Sequence, residues 1–572
     1  MRMVRTMHRR EPQWRSGLML LAALDVTGSQ GIPLQPLPHV PRTMAVEGMA
    51  ALNLLPLFII FLYRFLLSIR FKVRFEMAKD QLNVHQDTLK ATADHIDTNQ
   101  LGDGEDCFEL KTKESQIDMT DDEWLANEKS LVRKLDFTLL PMVWVLYLFN
   151  YLDRNNIAQA RLSTFEEDLG LVGSQFNVAV SILNVGYMLM QLPSNMMLTR
   201  TRPSLYIPAW TALWSCASAA TAAAKNYQHL IVIRFFLGIA EAPFFPGAMY
   251  LLSCWYPRKE LALRTAILYS GVLLATAFSG LIAAGVLSGL EGARGIAGWQ
   301  WLFIIEGAGS FVAAMVAVVF LPDFPGMKSG VAKWLLTDAE QKVAVERIAR
   351  DRVSLPTENP SVWNGLKLAV KDIRTWVFVV MLTANHSAYG FNSFFPTIVK
   401  GFNLGNTTLT LVLTAPPYLI ATGTAFLTAW SSDRRQDRGY HIAVPQAIAC
   451  IGFIISVATI NNAARYATAF LYICGCFSSN AMVFSWASST LNQTAEKRAC
   501  ATAIINLLSQ LGNIWSPYFF PSSDGPRYIK ANLLMMAFSL LSIVTCIVME
   551  GMLRRANRKL RDSGDATNLF TL

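Results

Sequence analysis

LPMVWVLYLFNYLDRNNIAQA, residues 140–160, runs through an apolar stretch and then places Asp153 and Arg154 side by side. Lipid penalises either charge heavily unless it is paired or faces a cavity. The stretch therefore says two things: the chain crosses a membrane here, and the crossing helix has a polar interior to face. The rest of the sequence agrees with the first statement. Of 572 residues, 52% are hydrophobic and 16% charged, and the mean hydropathy is +0.32. Soluble domains are nearer about 25% charged. Several apolar runs reach the roughly 20 residues that span a bilayer as helix. The class is a polytopic membrane protein, not a soluble enzyme.

From residue 136 onward twelve spans are expected: 136–157, 175–198, 205–224, 229–252, 264–288, 299–321, 375–398, 408–430, 442–461, 465–487, 499–520 and 529–552. Basic residues sort by loop parity. Arg200 and Arg202 follow span 2; Arg258, Lys259 and Arg264 follow span 4. Arg434, Arg435 and Arg438 follow span 8, and Lys497 and Arg498 follow span 10. The tail holds Arg554, Arg555, Arg558, Lys559 and Arg561, while the opposite loops carry isolated charges such as Arg161 and Lys400. The positive-inside bias puts both ends in the cytosol. The net charge of +9 thus tracks loops rather than one recognition surface, and nucleic-acid binding is unsupported.

The spans fall into two six-helix bundles, 131–321 and 375–552, joined by a cytosolic connector, 322–374, with a cytosolic tail at 553–572. Within the connector, WLLTDAEQKVAVERIARD reads as an amphipathic helix with Thr337 as N-cap and Glu340 at its third position. Residues 1–130 form an N-terminal cytosolic or uncertain segment with an apolar stretch at 49–70, and Met77 is an alternative start. The expected fold is all-α: twelve transmembrane helices in two bundles, the layout of rocker-type secondary transporters with a site between the halves. No GxxxxGK[ST] motif provides for ATP-driven transport, and no TVGYG-like filter marks a channel. The eight cysteines show no metal-ligand spacing, and neither a metal nor a cofactor is indicated.

The first half offers four ionisable residues at bilayer depth: Asp153 and Arg154 in span 1, Arg234 and Glu241 in span 4. Seven residues is about two helical turns, so Arg234 and Glu241 share a face. The bland reading is two mutually neutralising pairs that hold spans 1 and 4 together. The functional reading uses the competition between desolvation, which favours a neutral carboxyl, and a neighbouring Arg, which favours the carboxylate. Protonation of Asp153 or Glu241 would free an Arg, whose planar fork suits an anionic substrate.

NYLDRNNIAQA (150–160), GYMLMQLPSNMML (186–198), RFFLGIAEAPFFPGAMYLLSCWYPRKELALR (234–264), WQWLFIIEG (299–307) and LPDFPG (321–326) together resemble the anion:cation symporter branch of the major facilitator superfamily. Within it they look most like the fungal allantoate permease group, which includes nicotinate, pantothenate and biotin transporters. The resemblance spans about 130–560. It implies the major facilitator fold, proton-driven import of a small organic anion, a monomer in the lipid bilayer and the plasma membrane. Carried over by motif, Asp153 and Glu241 serve the proton; Tyr151, Arg154, Tyr187, Gln191 and Arg234 serve the substrate; Asp433 and Arg434 gate.

The second half says less. NHSAYGFNSFFP (385–396) brings His386, Tyr389, Asn392 and Ser393 into span 7, with His386 read as a hydrogen-bonded packing residue ahead of a ligand. Asn480, Ser485 and Trp486 line the cavity or merely bond neighbouring helices. Asn506, Gln510 and Asn513 form a polar stripe on span 11, from which Asn506 is assigned to the site. Phe391, Phe484 and Trp486 would suit a planar ring acid. Asn406 begins a glycosylation triplet in an outside loop, whereas the triplet at Asn492 is expected to stay bare. Two other classes remain open: an exporter of a secondary metabolite, and a non-transporting nutrient sensor.

Overall fold

The computed structural model describes residues 119–198, 201–325, 327, 332–351, 362–435, 437–491, 493, 495–562 and 570–571. The expectations for 1–118 and for Asn492 lie outside them. Every regular element among the described residues is helical. Twelve helical segments correspond one to one with the expected spans. They are α1 (Asp121–Ala160), α2 (Gln175–Leu198), α3 (Pro203–Ala220) and α4 (Tyr227–Glu241, resuming as Phe244–Trp255). Next come α5 (Arg258–Gly289), α6 (Gly298–Phe320) and α7 (Ile373–Ala388, continued by Gly390–Phe394 and Phe395–Lys400). The remainder are α8 (Thr407–Arg435), α9 (Tyr440–Ala458), α10 (Asn462–Thr490), α11 (Ala495–Ser509, then Leu511–Trp515) and α12 (Ile529–Asp562).

Eight of these helices are individually long and apolar enough to cross a membrane: α1, α4, α5, α6, α8, α9, α10 and α12. The other four, α2, α3, α7 and α11, are short, broken or rich in polar residues. Three of them supply the polar groups of the interior, so their dilution has a physical cause. Large apolar side chains left exposed run along α6 (Phe311, Val312, Met315, Val319) and α12 (Leu540, Val544, Ile547, Val548), as lipid-facing surfaces require.

Packing repeats with a shift of six. In the first half α1 packs on α5 and α6, α2 on α4, and α3 on α6; in the second, α7 packs on α11 and α12, α8 on α10, and α9 on α12. Two parallel copies of one bundle explain this pattern directly. Between the copies, α5 packs along α8.

Local sequence explains the key ends and breaks. Thr120 caps α1 and Glu123 completes the capping box, with three acidic residues in the first turn at the positive end of the dipole. Pro243 has no N–H to offer Ile239, and α4 breaks just after Glu241. Gly186 and Gly238 let α2 and α4 touch: a Cβ on Gly238 would run into the Leu183 carbonyl, and one on Gly186 into that of Phe235.

The connector helix Asp338–Asp351 has the expected capping box, Thr337 and Glu340 exchanging bonds of 2.8 and 3.2 Å. Glu340 also takes Lys134 at 2.8 Å and Ser130 at 2.6 Å, and Arg347 donates to the Trp255 carbonyl at 2.8 Å. The connector is thereby fastened to α1 and α4 at the end where α1 begins. On the same side of the second half, Asp372 caps α7 and pairs with Arg374 and Lys497.

Candidate functional site

Successive residues of a helix point about 100° apart, and Asp153 and Arg154 use that difference. Asp153 is fully buried and turns toward α3 and α6, where Ser218 donates to Oδ1 at 2.6 Å and Ser310 to Oδ2 at 2.5 Å. Arg154 turns toward α4. Its Nε and Nη2 both donate to Glu241 Oε2, at 2.9 and 2.6 Å, and its guanidinium lies 5.2 Å from the Tyr151 ring and 5.0 Å from the Tyr187 ring. Two aromatic faces therefore hold the cation that the carboxylate neutralises.

Arg234 is the exception. It is 1% exposed, and none of its three guanidinium nitrogens has a hydrogen-bond partner. It shares α4 with Glu241, two turns away, yet Glu241 is committed to Arg154. The two self-neutralising pairs of the bland reading reduce to one pair, Arg154–Glu241, which does join α1 to α4.

Arg234 lines a cavity between the halves. Tyr151, Arg154, Asn155 and Asn184 line it from the first half, and Tyr389, Asn392, Ser393, Asn513 and Ser516 from the second. The halves meet around it through polar contacts: Asn392 Nδ2 donates to Asn155 Oδ1 at 3.4 Å and accepts from Tyr418 at 2.8 Å through its own Oδ1. Asn480 of α10 donates to the Tyr269 hydroxyl of α5.

At the end away from the connector the halves are tied more firmly. Ser181 donates to the Ile514 carbonyl at 2.7 Å, and Asn184 and Asn177 donate to the carbonyls of Asn513 and Phe520, each at 3.4 Å. Arg161 lies 4.2 Å from the Phe176 ring and 5.5 Å from Phe394, which stacks on Phe520 at 4.6 Å. Phe176 belongs to α2, Phe394 to the continuation of α7 and Phe520 to the segment after α11, so both halves contribute to the closure.

The Major Facilitator Superfamily pattern matches residues 143–517. The chain belongs to that superfamily. Among its relatives in the superfamily, an uncharacterized transporter of Schizosaccharomyces pombe is 32% identical over 446 residues, 77% of this chain and 87% of that protein. The MFS-type transporter cnsO of Penicillium expansum is 33% identical across 70% of this chain and 79% of its own length. The major facilitator-type transporter hxnP of Emericella nidulans is 30% identical, covering 76% and 87%. A solved bacterial homologue of the human lysosomal transporter Spinster, in an inward-facing and unoccupied conformation, superposes with a TM-score of 0.57 at 16% identity over 72% of this chain and 95% of that one. The protein is a multi-pass membrane transporter with the major facilitator fold.

The remaining expected residues of this superfamily member divide. Tyr187 is buried under Arg154, and Gln191, 4% exposed, lies one turn further along α2, outside the cavity lining. Asn506 does not line the cavity either: α11 is interrupted at Gln510, and Asn513, which donates to Gln510 at 2.9 Å, is the stripe residue that does. His386 is a packing residue, its Nδ1 3.0 Å from the Ser509 carbonyl. Trp486 is packed on Phe378 and bonded to the Thr571 carbonyl, and Phe391 is buried among Phe453, Tyr472 and Phe477. Neither ring faces the cavity; Tyr151 and Tyr389 do. Asp433 pairs with Arg438 at 2.7 Å, and Arg434 lies over Trp430 at 5.6 Å, at the end of α8. Asn406 is exposed and caps α8 by accepting from the Leu409 N–H at 2.8 Å.

Counting four membrane-depth charges in the first half missed one. Glu306 of α6 is 3% exposed, and neither carboxylate oxygen has a hydrogen-bond partner. The signal was present in FIIEG, a single acid within an apolar run, by the same reasoning that found Glu241.

Proposed function

We propose that the protein is a proton-coupled importer of a small organic anion bearing a carboxylate, of the anion:cation symporter branch, working as a monomer in the plasma membrane with its connector in the cytosol. Arg234 carries this reading. A buried guanidinium without partners is costly, and one facing a cavity can recover that cost by receiving an anion. A carboxylate offers two acceptor oxygens in the geometry of the guanidinium fork. Tyr151 and Tyr187 flank the neighbouring Arg154, and Tyr389, Asn392 and Asn513 provide a polar and aromatic wall across the cavity, which suits a compact, partly planar acid such as nicotinate.

Coupling follows from the charge count. While Glu241 is ionised it occupies Arg154, leaving Arg234 as the uncommitted cation. Protonation of Glu241 releases Arg154, so the site gains a second cation for an anion. Asp153 is a second proton-linked carboxyl, and Asp433 and Arg434 gate the connector-side end. The test is uptake of labelled nicotinate, allantoate, pantothenate and biotin into transporter-deficient cells, with and without a protonophore. Accumulation of at least one solute that collapses with the protonophore supports the reading; binding without accumulation, or efflux driven by the gradient, rejects it.

A further inference from the structure

At the connector side of the second half, a short piece of the tail sits in a socket between helix ends. Asn557, buried near the end of α12, spends its whole side-chain amide on one residue. The Phe570 N–H donates to its Oδ1 at 2.8 Å, and its Nδ2 donates to the Phe570 carbonyl at 2.9 Å. Trp486 of α10 is fully buried and donates its indole N–H to the next carbonyl, that of Thr571, at 3.0 Å. Three hydrogen bonds thus read the backbone of two consecutive residues, as a sheet edge reads an added peptide. The Phe570 ring packs on the apolar cluster that contains Phe378, Trp486 and Leu553, with the Arg374 guanidinium 5.1 Å from its centre. Asp372 holds Arg374 in turn, and shares its carboxylate with Lys497 of α11.

The tail joins two helices that otherwise have different principal neighbours. α10 packs mainly on α8 and α9, and α12 on α7 and α9. α10 also carries Asn480, which crosses to the Tyr269 hydroxyl of α5 in the other half. From Asn480 to Trp486 is less than two helical turns, about 9 Å along the axis. The crossing lies between the cavity and the connector side. Arg264 of α5 bonds Asp136 of α1, which sets a common level for the two helices. Tyr269 lies roughly 7 Å beyond that level and Tyr151, where the cavity lining of α1 begins, roughly 22 Å beyond it, at about 1.5 Å per residue. Emptying the socket would take these partners from a buried indole N–H and from both ends of a buried amide, which favours the docked tail.

We infer that this socket is a peptide-binding site whose occupant is the chain's own tail, and that the docked tail fixes the connector-side end of α10, holds Asn480 against Tyr269 and restrains the cavity from opening on that side. Release of Phe570 and Thr571 frees α10 to move away from α5. The docking is independent of the anion and proton assignments; its effect on uptake is a regulation of that same site and rests on them.

Two measurements test this, and neither uses a substrate or a gradient. In the wild type in lipid nanodiscs, the Phe570 amide should exchange slowly with deuterated water. Exchange as fast as in the free peptide SGDATNLFTL, residues 563–572, overturns the docking. In full-length chains carrying Ser393→Cys as a cavity reporter, Phe570→Ala should raise the rate of labelling by a thiol reagent at least roughly twofold. The rate of the chain without the reporter is subtracted, and melting curves confirm folding. The peptide SGDATNLFTL, added at about the millimolar effective concentration of a tethered segment, should bring the rate back; the same peptide carrying Phe570→Ala should not. An unchanged rate in Phe570→Ala, or a raised rate that the peptide does not lower, overturns the inference. Protonophore-insensitive uptake by the wild type would remove the proton-coupled reading and leave these results in place.

Discussion

Arg154 directs both Nε and Nη2 at one oxygen of Glu241, at 2.9 and 2.6 Å, while the other oxygen, Oε1, is buried without a partner. The pair joins α1 to α4 asymmetrically, with one carboxylate oxygen saturated and the other uncommitted. If this carboxylate exchanges its proton during the cycle, Glu241→Gln keeps the shape and removes the exchange. We expect uptake by this variant to stop responding to the pH gradient while counterflow of labelled anion continues. Gradient-driven accumulation equal to wild type would separate Glu241 from coupling.

Arg161 against Phe176 and Phe394 is one of the contacts that close the end away from the connector. Contacts of this kind are worth about 0.5–2 kcal/mol, enough to shift an open–closed ratio by roughly 2- to 30-fold. With a cysteine reporter at Ser393 in the cavity wall, Arg161→Ala should raise the labelling rate by a membrane-impermeant thiol reagent added outside. An unchanged rate would show that the ring stack and the Ser181, Asn184 and Asn177 hydrogen bonds close this end without Arg161.

The touching backbones of α2 and α4 give a steric contrast. Gly238→Ala drives a methyl into the Leu183 carbonyl, and overpacking of this kind costs about 1–3 kcal/mol. The melting temperature should fall and Tyr187 should lose its place over Arg154, lowering uptake. Gly285→Ala on α5, where a Cβ meets nothing within 4 Å, should be neutral or slightly stabilising. Equal melting temperatures for the two variants would contradict the packing.

Asp372 gives a pH-dependent expectation outside the bilayer. Burial works against its charge, but hydrogen bonds from Arg374 and Lys497 outweigh it and bring its carboxyl down to about 2. An unfolded Asp titrates near about 3.9, so the stabilisation is fully present above that value and is lost as pH falls through the folded one. The melting-temperature gap between wild type and Asp372→Asn should therefore be full at neutral pH and shrink steadily below about pH 4. A gap independent of pH would mean that the ion pairs do not stabilise the fold.

Most of the spans were readable in the sequence because lipid imposes length and apolarity on the helices that face it, and the connector's capping box because its residues are local. Arg234 and Glu241 were readable as buried charges, since their cost is a property of the residue and its neighbours in sequence. Their partners were not. Periodicity puts both on one face of α4, but that Glu241 bonds to Arg154 of α1 while Arg234 has no hydrogen-bond partner depends on how α1 packs beside α4, and that belongs to tertiary packing. The capture of Asp153 by Ser218 and Ser310 is likewise invisible until α3 and α6 are packed. Asn506 was selected from a stripe that assumes an unbroken helix, and the interruption of α11 at Gln510 is where that assumption fails.

Arg234, buried in the cavity wall with no hydrogen-bond partner on its guanidinium, is the proposed anion receptor. Its most direct test is equilibrium binding of labelled nicotinate, allantoate, pantothenate and biotin to purified wild type and Arg234→Met, with folding of the variant checked by its melting curve. Removing one partner of a buried, hydrogen-bonded charge pair typically costs about 2–5 kcal/mol, so the best-bound acid should lose at least roughly 30-fold in affinity. Equal affinity in a folded Arg234→Met would contradict the account.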